Sequence, residues 1–558
     1  MKKSSALLRD AGFEIRAEQN SIQRVSPFPV MRSRWMPTPQ SSENAAAMQA
    51  LLSKLEEYHQ AALFQGKEKH IQKARREGKF LARERIEYLL DEGSPFLELL
   101  PLAGLGGKTS SPGGTLVGGI GLVSGRWVMI TSNVGTEKGG AIDLPTLQKS
   151  LRLNEIALEN GLPVINFVES AGADLPEQAK IFNYGGAIFR DITQRSKRGL
   201  ATISIVMGNA TAGGAYVPGM SDYTIFVRGQ AQVFLAGPPL VRLATGEIVD
   251  EETLGGGYMH ATQSGVADFL AENELDGIRK ARELVAHLRP PQTHFRPRHD
   301  PLPPRYDPEE LLSIIPVDAR QPFDIRELII RIVDDSRFLE FKPLWGPTLV
   351  TGWAEIYGYP VGIIGNNGVL FSESANKGAH FIQLCNREEV PILFLQNITG
   401  FIVGKRYEQE GIIKNGAKMI NAVSNSEVPH ITIMVGASYG AGNYAMAGRA
   451  YRPRFLFAYP NSRIAVMGPE QLAGVMETIQ RQAAEKAGIP FDEQQAAVMR
   501  QHLLQEIERT SEAWYSTSQL WDDGILDPRL TREYLGICLS VVNNTPIRPS
   551  NVYGVFRM

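Results

Sequence analysis

Cysteine is nearly absent from this 558-residue chain: Cys385 and Cys538 are the only two. Two thiols exclude a disulfide framework and a four-cysteine zinc ribbon, and they suit a reducing compartment. An excess of one charge is lacking as well. Lys and Arg number 58 against 60 Asp and Glu, a net charge of −2. No global field therefore draws the chain to nucleic acid or to an anionic membrane. No apolar run reaches the length of a membrane span. Familiar catalytic signatures are missing too. The sequence has no Gly-x-Ser-x-Gly elbow, Walker loop, His-Glu-x-x-His or cluster of zinc ligands, so no metal is expected. Nine histidines are scattered along the chain. His260 and His380 are candidate bases, but a lone histidine is more often structural.

Glycine is plentiful, and two glycine-rich stretches match each other. Ile203-Ser-Ile-Val-Met-Gly-Asn-Ala-Thr-Ala-Gly-Gly-Ala-Tyr216 resembles Ile431-Thr-Ile-Met-Val-Gly-Ala-Ser-Tyr-Gly-Ala-Gly-Asn-Tyr444. Each is a β-branched apolar run that breaks into small residues, which predicts a buried strand, a tight turn and a helix start. Small residues there let a ligand approach the backbone, and they leave N–H groups free to face a negative oxygen. The same spacing places the strand Pro163–Ser170 before the first stretch and Pro391–Ile398 before the second. Further back, Thr115–Gly135 aligns with Thr348–Gly368 without a gap, and Phe96-Leu-Glu98 recurs as Phe338-Leu-Glu340. One register over four segments predicts an α/β fold made of two tandem copies of one domain.

The length fits two domains with extensions. The expected layout is an N-terminal arm over 1–42, a first domain over 43–287, a proline-rich linker over 288–308 and a second domain over 309–558. The arm is basic, but Asp10, Glu14 and Glu18 argue against a targeting peptide. Residues 43–92 read as helical. Their basic run (Lys67, Lys69, Lys73, Arg75, Arg76, Lys79, Arg83, Arg85) is either a solvated face with Glu partners or a phosphate contact for a large anion.

Two segments past strands carry the chemistry, Glu169-Ser-Ala-Gly-Ala-Asp174 and Tyr439-Gly-Ala-Gly-Asn443. One set of free N–H groups per copy suits a reaction with two developing oxyanions. For a single Gly-rich turn, plain helix–strand packing is the commoner explanation; two in register make it less so.

These residues resemble the carboxyltransferase (β) subunit of biotin-dependent acyl-CoA carboxylases. The motifs that carry the resemblance are Gly78-Lys-Phe-Leu-Ala-Arg-Glu-Arg-Ile86, Glu169-Ser-Ala-Gly-Ala173, Thr211-Ala-Gly-Gly-Ala-Tyr216, Phe234-Leu-Ala-Gly-Pro-Pro239, Ala244-Thr-Gly-Glu247, Gln396-Asn-Ile-Thr-Gly-Phe401, Ser438-Tyr-Gly-Ala-Gly-Asn443 and Leu520-Trp-Asp-Asp-Gly-Ile-Leu-Asp527. The resemblance implies two crotonase-like ββα-superhelix domains, a homohexamer, and a partner α subunit holding biotin carboxylase and biotin carrier functions in an α6β6 complex. It implies acyl-CoA on the first domain and biotin, carried by the partner, on the second. The amides of Ala171 and Gly172 would then stabilise the acyl enolate, and those of Ala441 and Gly442 the ureido oxygen. Gly213, Gly214, Ala215 and Tyr216 would lie against substrate; Thr399, Gly400, Phe401, Tyr439, Gly440 and Asn443 would lie against biotin. On that mechanism the proton leaves to the cofactor, so no protein base is needed. The usual first motif is Ser-Gly-Gly-Ala; here Ala171 replaces its first glycine, and the backbone there must suit an L-residue.

Within the family the signatures look like the methylcrotonyl/geranyl branch, which carboxylates the γ carbon of a branched α,β-unsaturated acyl-CoA. Gly185, Gly186 and Ala187 stand where methylcrotonyl enzymes carry a bulky Phe. Geranyl-CoA is therefore the expected substrate, with 3-methylcrotonyl-CoA the alternative if Tyr184, Ile188 or Phe189 fills the gap. A crotonase-type hydratase or isomerase is the rival from another class; it is usually half this length and needs site glutamates. A non-catalytic scaffold would be expected to have lost one of the two turns. The expected compartment is the bacterial cytoplasm, or else the mitochondrial matrix.

Overall fold

The computed structural model describes residues 26–488 and 490–558; the first 25 residues of the expected arm lie outside the described residues. The chain divides into two compact units. The first runs over Glu56–Gln292, and the second gathers Thr293–Met558 with residues 26–55. Residues 43–55, expected with the first domain, thus group with the second unit. Met48, Leu52 and Leu55 are buried there, and the Asn44 amide donates to the Ser313 carbonyl (3.3 Å). Residues 289–307 form neither helix nor strand, as their prolines dictate.

The first unit holds an eight-stranded mixed sheet. Its strands are β1 (Phe96–Glu98), β2 (Leu116–Val123), β3 (Arg126–Asn133), β4 (Val164–Ser170), β5 (Thr202–Thr211), β6 (Tyr223–Val227), β7 (Gln232–Phe234) and β8 (Phe269–Ala271). The order is β1-β2-β3-β4-β5-β6-β8, with β7 against the end of β5. Strands β1 to β3 are antiparallel and the rest parallel. Ser124 and Gly125 join β2 to β3 with φ of 50° and 75°, the two left-handed residues that match a hairpin to strand twist.

The second unit holds seven strands: β9 (Leu339–Glu340), β10 (Leu349–Ile356), β11 (Tyr359–Asn366), β12 (Ile392–Ile398), β13 (His430–Tyr439), β14 (Phe455–Ala458) and β15 (Arg463–Ala465). Their order is β14-β13-β12-β11-β10-β9, with β15 against the end of β13. Each strand from β9 to β14 has a counterpart of the same direction in β1 to β6. Tyr357 and Gly358 repeat the left-handed hairpin, at φ 52° and 74°.

The central strands β5 and β13 are buried on both faces. That is why they read as continuous apolar runs rather than as alternating ones. Val128, Ile130, Ile165, Phe167, Ile203 and Ile205 belong to one core, Ile364, Ile392, Phe394 and Phe381 to the other. Each such side chain, fully buried, stabilises by about 1.5–3 kcal/mol. Among the described residues no helix is long and apolar enough to cross a membrane.

Candidate active site

The turns of interest begin where two parallel ladders slip. Between β4 and β5 the register shifts between Val168 and Ser170; between β12 and β13 it shifts at the same place, between Gln396 and Ile398. The slip turns one side chain toward a glycine of the next strand. In the first unit that side chain is Glu169, and a Cβ on Gly208 would run into its carboxyl group. In the second it is Asn397, and a Cβ on Gly436 would run into its amide. Past the slip the chain bends through a left-handed glycine, Gly172 at φ 86° and Gly400 at φ 129°. Ala171 is not among the residues with positive φ, so its Cβ is tolerated.

Each bend faces the turn that ends the neighbouring strand. A Cβ on Gly172 would lie 3.1 Å from the Thr211 carbonyl oxygen. A Cβ on Gly442 would lie 3.3 Å from the Gly400 Cα and 2.5 Å from the Ile398 Cγ1. Ala212–Ala215 and Gly440–Ala445 are short helices whose starts no side chain caps. Within these helices the N–H groups of Ala441 and Gly442 have no partner, nor does that of Gly213, whereas the 3-10 turn gives the Gly214 N–H to the Thr211 carbonyl. Ala171 and Gly172 differ. The Ala171 N–H donates to the Gly139 carbonyl (2.9 Å), and the Gly172 N–H donates to the Ser170 hydroxyl (3.2 Å). That hydroxyl in turn donates to the Gly140 carbonyl (2.8 Å).

The segment that reaches Ala171 exists in the first unit alone. Gly135 matches Gly368, and Ile142 matches Leu370, since both pair with the following bend (Ile142 with Ala173, Leu370 with Phe401). Between these anchors the first unit has residues 136–141, the second only Val369. Lys138, Gly139 and Gly140 all adopt left-handed φ, at 50°, 63° and 69°. Lys138 also pairs with Asp174 (2.9 Å).

Glu169 is the acidic residue sequence reasoning passed over. Its carboxylate accepts from Lys79 Nζ (2.9 Å) and Arg85 Nη1 (2.8 Å). Arg85 is fully buried and also donates twice to buried Glu274 (2.7 and 3.0 Å). Burial pushes the Glu169 carboxyl up, and Arg85 and Lys79 more than reverse this, leaving it below the usual carboxylate value. A signal was present: a carboxylate at the end of a buried strand needs a cation, and the Gly78–Ile86 motif supplies two. The rest of the basic run is also largely paired. Arg75 binds Glu84, Arg83 binds Glu98 and Lys73 binds Glu77. The phosphate-contact expectation is left with Lys67, Lys69 and Arg76, all exposed.

The second-unit residues divide. Asn443 is buried and faces inward; its Nδ2 donates to the Ser438 hydroxyl (2.8 Å), which donates to Gln396 Oε1 (2.7 Å). Tyr439 is buried, and Phe401 packs near Gly416. Thr399 is exposed beside Gly400. In the first unit Ala215 is buried, while Tyr216 is half-exposed and stacks edge-on against Phe189, with ring centres 5.9 Å apart. Gly185, Gly186 and Ala187 lie on the helix Gln178–Lys197, and no atom lies within 4 Å of a Cβ on either glycine. Tyr184 points to solvent, whereas the Phe189 ring reaches within 3.7 Å of a Cβ on Gly213.

Neither candidate base is poised. His260 uses both ring nitrogens, one with the Ser264 hydroxyl (2.6 Å) and one with the Val233 carbonyl (2.8 Å). The His380 Nδ1 lies 3.1 Å from Lys342 Nζ. Among the described residues no group of three or more His, Cys, Asp or Glu could hold a metal ion.

Two mixed sheets of matching topology, each ending in a glycine-rich turn, are the frame on which the comparisons with known proteins fall. Residues 73–556 match the carboxyl transferase domain model, and the chain belongs to that family. It is 52% identical over 517 residues to the probable biotin-dependent acyl-coenzyme A carboxylase beta2 subunit of Mycobacterium tuberculosis, covering 92% of this chain and 97% of that one. It is 48% identical over 528 residues to the mitochondrial methylcrotonoyl-CoA carboxylase beta chain of Arabidopsis thaliana, covering 93% and 90%. The crystal structure of the P. aeruginosa geranyl-CoA carboxylase beta subunit matches with a TM-score of 0.86 at 41% identity, over 94% of this chain and 99% of that one. The protein is the carboxyltransferase subunit of a biotin-dependent acyl-CoA carboxylase.

Proposed function

We propose that the subunit moves a carboxyl group from carboxybiotin, carried on a partner α subunit, to the γ carbon of a branched α,β-unsaturated acyl-CoA, with geranyl-CoA as the preferred substrate. The observation that carries the chain length is the open space beside Gly185 and Gly186. A long prenyl chain laid there buries apolar surface, worth about 0.8 kcal/mol per methylene. The second reading, 3-methylcrotonyl-CoA, is favoured by the Phe189 ring. Phe189 stands one helical turn after Gly185, and its ring reaches toward Gly213 and Tyr216, where it bounds the space beside the substrate turn. The rival hydratase chemistry is disfavoured, because Glu169 is held between two cations and is not free to take a proton.

The two units act as tandem crotonase-like copies of one domain, the first for acyl-CoA and the second for biotin. In the first, the Gly213 N–H opposite the Ala171–Gly172 bend holds the acyl oxygen as negative charge develops on it; the Gly172 N–H joins it only on leaving the Ser170 hydroxyl, and the Ala171 N–H stays with the Gly139 carbonyl. In the second, the amides of Ala441 and Gly442, with Gly400 beside them, hold the ureido oxygen. This second donor set fits a neutral carbonyl oxygen: its amides lack helical partners and Gly400 allows close approach. Bound biotin supplies the carboxyl group and the basic nitrogen. The chain itself contributes positioning and preorganised N–H donors. A homohexamer, completed by biotin-bearing α subunits as α6β6, is the expected assembly, in a bacterial cytoplasm or a mitochondrial matrix. The test is ATP- and bicarbonate-dependent carboxylation of an acyl-CoA panel by the chain reconstituted with its biotinylated partner.

A further inference from the structure

We infer that Glu169, clamped by Lys79 and Arg85, is a positioning residue that sets the orientation of the acyl-side bend at Ser170–Gly172. The inference rests on reading that bend as an oxyanion-holding element. Glu169 directly precedes the bend, so fixing its side chain fixes the direction in which the next peptide units leave β4. Three observations show that the side chain is fixed, and a fourth that its backbone is. Lys79 Nζ and Arg85 Nη1 each take one carboxylate oxygen, at 2.9 and 2.8 Å. Arg85 cannot follow a moving partner, because its other nitrogens are committed to buried Glu274. A Cβ on Gly135 would run into the carboxyl group from one side, and a Cβ on Gly208 from the other. The Glu169 N–H meets Asn133 Oδ1 at 3.3 Å.

The second unit supplies the contrast. Asn397 takes the place of Glu169, its N–H likewise meets Asn366 Oδ1 (3.2 Å), and its own Oδ1 accepts the Ala437 N–H (3.2 Å). A neutral amide bonded to the backbone of the adjacent strand does there what an anion and two cations do in the first unit. The first-unit bend is also gripped from its far side, by the Gly139 and Gly140 carbonyls on Ala171 and Ser170. Glu169 anchors the near side of that grip. The charged anchor gives the bend its stiffness: charge-assisted bonds are roughly twice as strong as neutral ones.

Lys79 is the accessible handle, since its side chain keeps 16% exposure while Arg85 has almost none. In the reconstituted holoenzyme, Lys79→Met should lower kcat for acyl-CoA carboxylation by about tenfold to a hundredfold, the cost of a small misplacement of reacting groups. KM for the acyl-CoA should stay within about twofold; because a buried carboxylate loses one of its two cations, the melting temperature should fall, and kcat is read per folded enzyme. Lys79→Arg should recover most of kcat. Gly172→Val runs beside them as the control for the bend itself. If Lys79→Met keeps kcat within about twofold while Gly172→Val abolishes turnover, the inference falls and the oxyanion reading stands. If both variants turn over normally, the oxyanion reading itself falls. A loss in Lys79→Met that follows the folded fraction, and that Lys79→Arg fails to rescue, also overturns the inference.

Discussion

Lys149 and Lys377 occupy the same place in the two units, and both are buried. Lys149 Nζ donates to the Gly113 carbonyl (3.2 Å) and Lys377 Nζ to the Gly346 carbonyl (3.5 Å). Each lies near a repeated ion pair, Arg83 with Glu98 and Arg326 with Glu340. Nearby, Thr115 and Thr146 meet through their hydroxyls (3.3 Å), as Thr348 and Ser374 do (2.8 Å). A polar arrangement repeated at this detail inside two cores is a shared structural tie rather than a site.

That tie has a pH signature. Burial lowers both ammonium groups to about 8, from an ordinary value of 10.5. A lysine whose folded pKa is depressed stabilises fully above its unfolded pKa and loses that contribution as pH falls through the folded one. Thermal melts from pH 10.5 down to 8 should therefore show a stability loss that Lys149→Met and Lys377→Met each reduce. Variants that keep the full wild-type slope would contradict the assignment.

His299 titrates with the opposite sign. Its Nε2 meets Glu355 at 3.0 Å, and this hydrogen bond, first among the causes, raises it to about 9. The stability it contributes is complete below about pH 6.5 and is lost as pH rises through 9. His299→Gln should be less stable than wild type at pH 6 and nearly equal to it at pH 10, read as the difference in melting temperature at each pH.

Bulk at either bend should stop catalysis. Gly442→Val drives a side chain into Ile398, and Gly172→Val forces an L-residue to φ 86° beside Thr211. On the proposed reading each distorts a turn that holds an oxyanion, a loss of about 10²–10³ in kcat. Circular dichroism and sizing establish that the variants remain folded and assembled. Near-normal turnover in both would remove the two-oxyanion account.

Chain-length selectivity should respond to the helix Gln178–Lys197. Phe placed singly at Gly185, Gly186 or Ala187 should reject geranyl-CoA at the correct position and spare the shorter methylcrotonyl-CoA. Phe189→Ala should widen the same space and raise kcat/KM for geranyl-CoA. If no variant shifts the ratio of kcat/KM values, this helix does not read the acyl chain.

The sheets were legible because their central strands are buried on both faces, so β5 and β13 stand out as apolar runs and their glycines mark the turns. The family was legible partly for the same reason: four of its motifs, at 169–173, 211–216, 396–401 and 438–443, lie at those turns. Other features depend on partners far away in sequence. Lys149 reads as a solvent-facing helix residue until Gly113 and Glu98 are brought beside it. Glu169 reads as part of a turn motif until Lys79 and Arg85 reach it. The Ala171 amide reads as free, because the carbonyl that takes it comes from a run of left-handed residues with no regular pattern. Residues 43–55 show an apolar helix face, but nothing local says which unit they cover.

The substrate assignment is the claim most directly open to measurement. The chain reconstituted with its biotinylated partner, given ATP and bicarbonate, is assayed for kcat/KM on geranyl-CoA and 3-methylcrotonyl-CoA. The account predicts carboxylation that needs the partner, with geranyl-CoA the better substrate. A strong preference for 3-methylcrotonyl-CoA would contradict the reading of the space beside Gly185 and Gly186 as room for a long acyl chain, and no carboxylation of any acyl-CoA by the loaded complex would contradict the account as a whole.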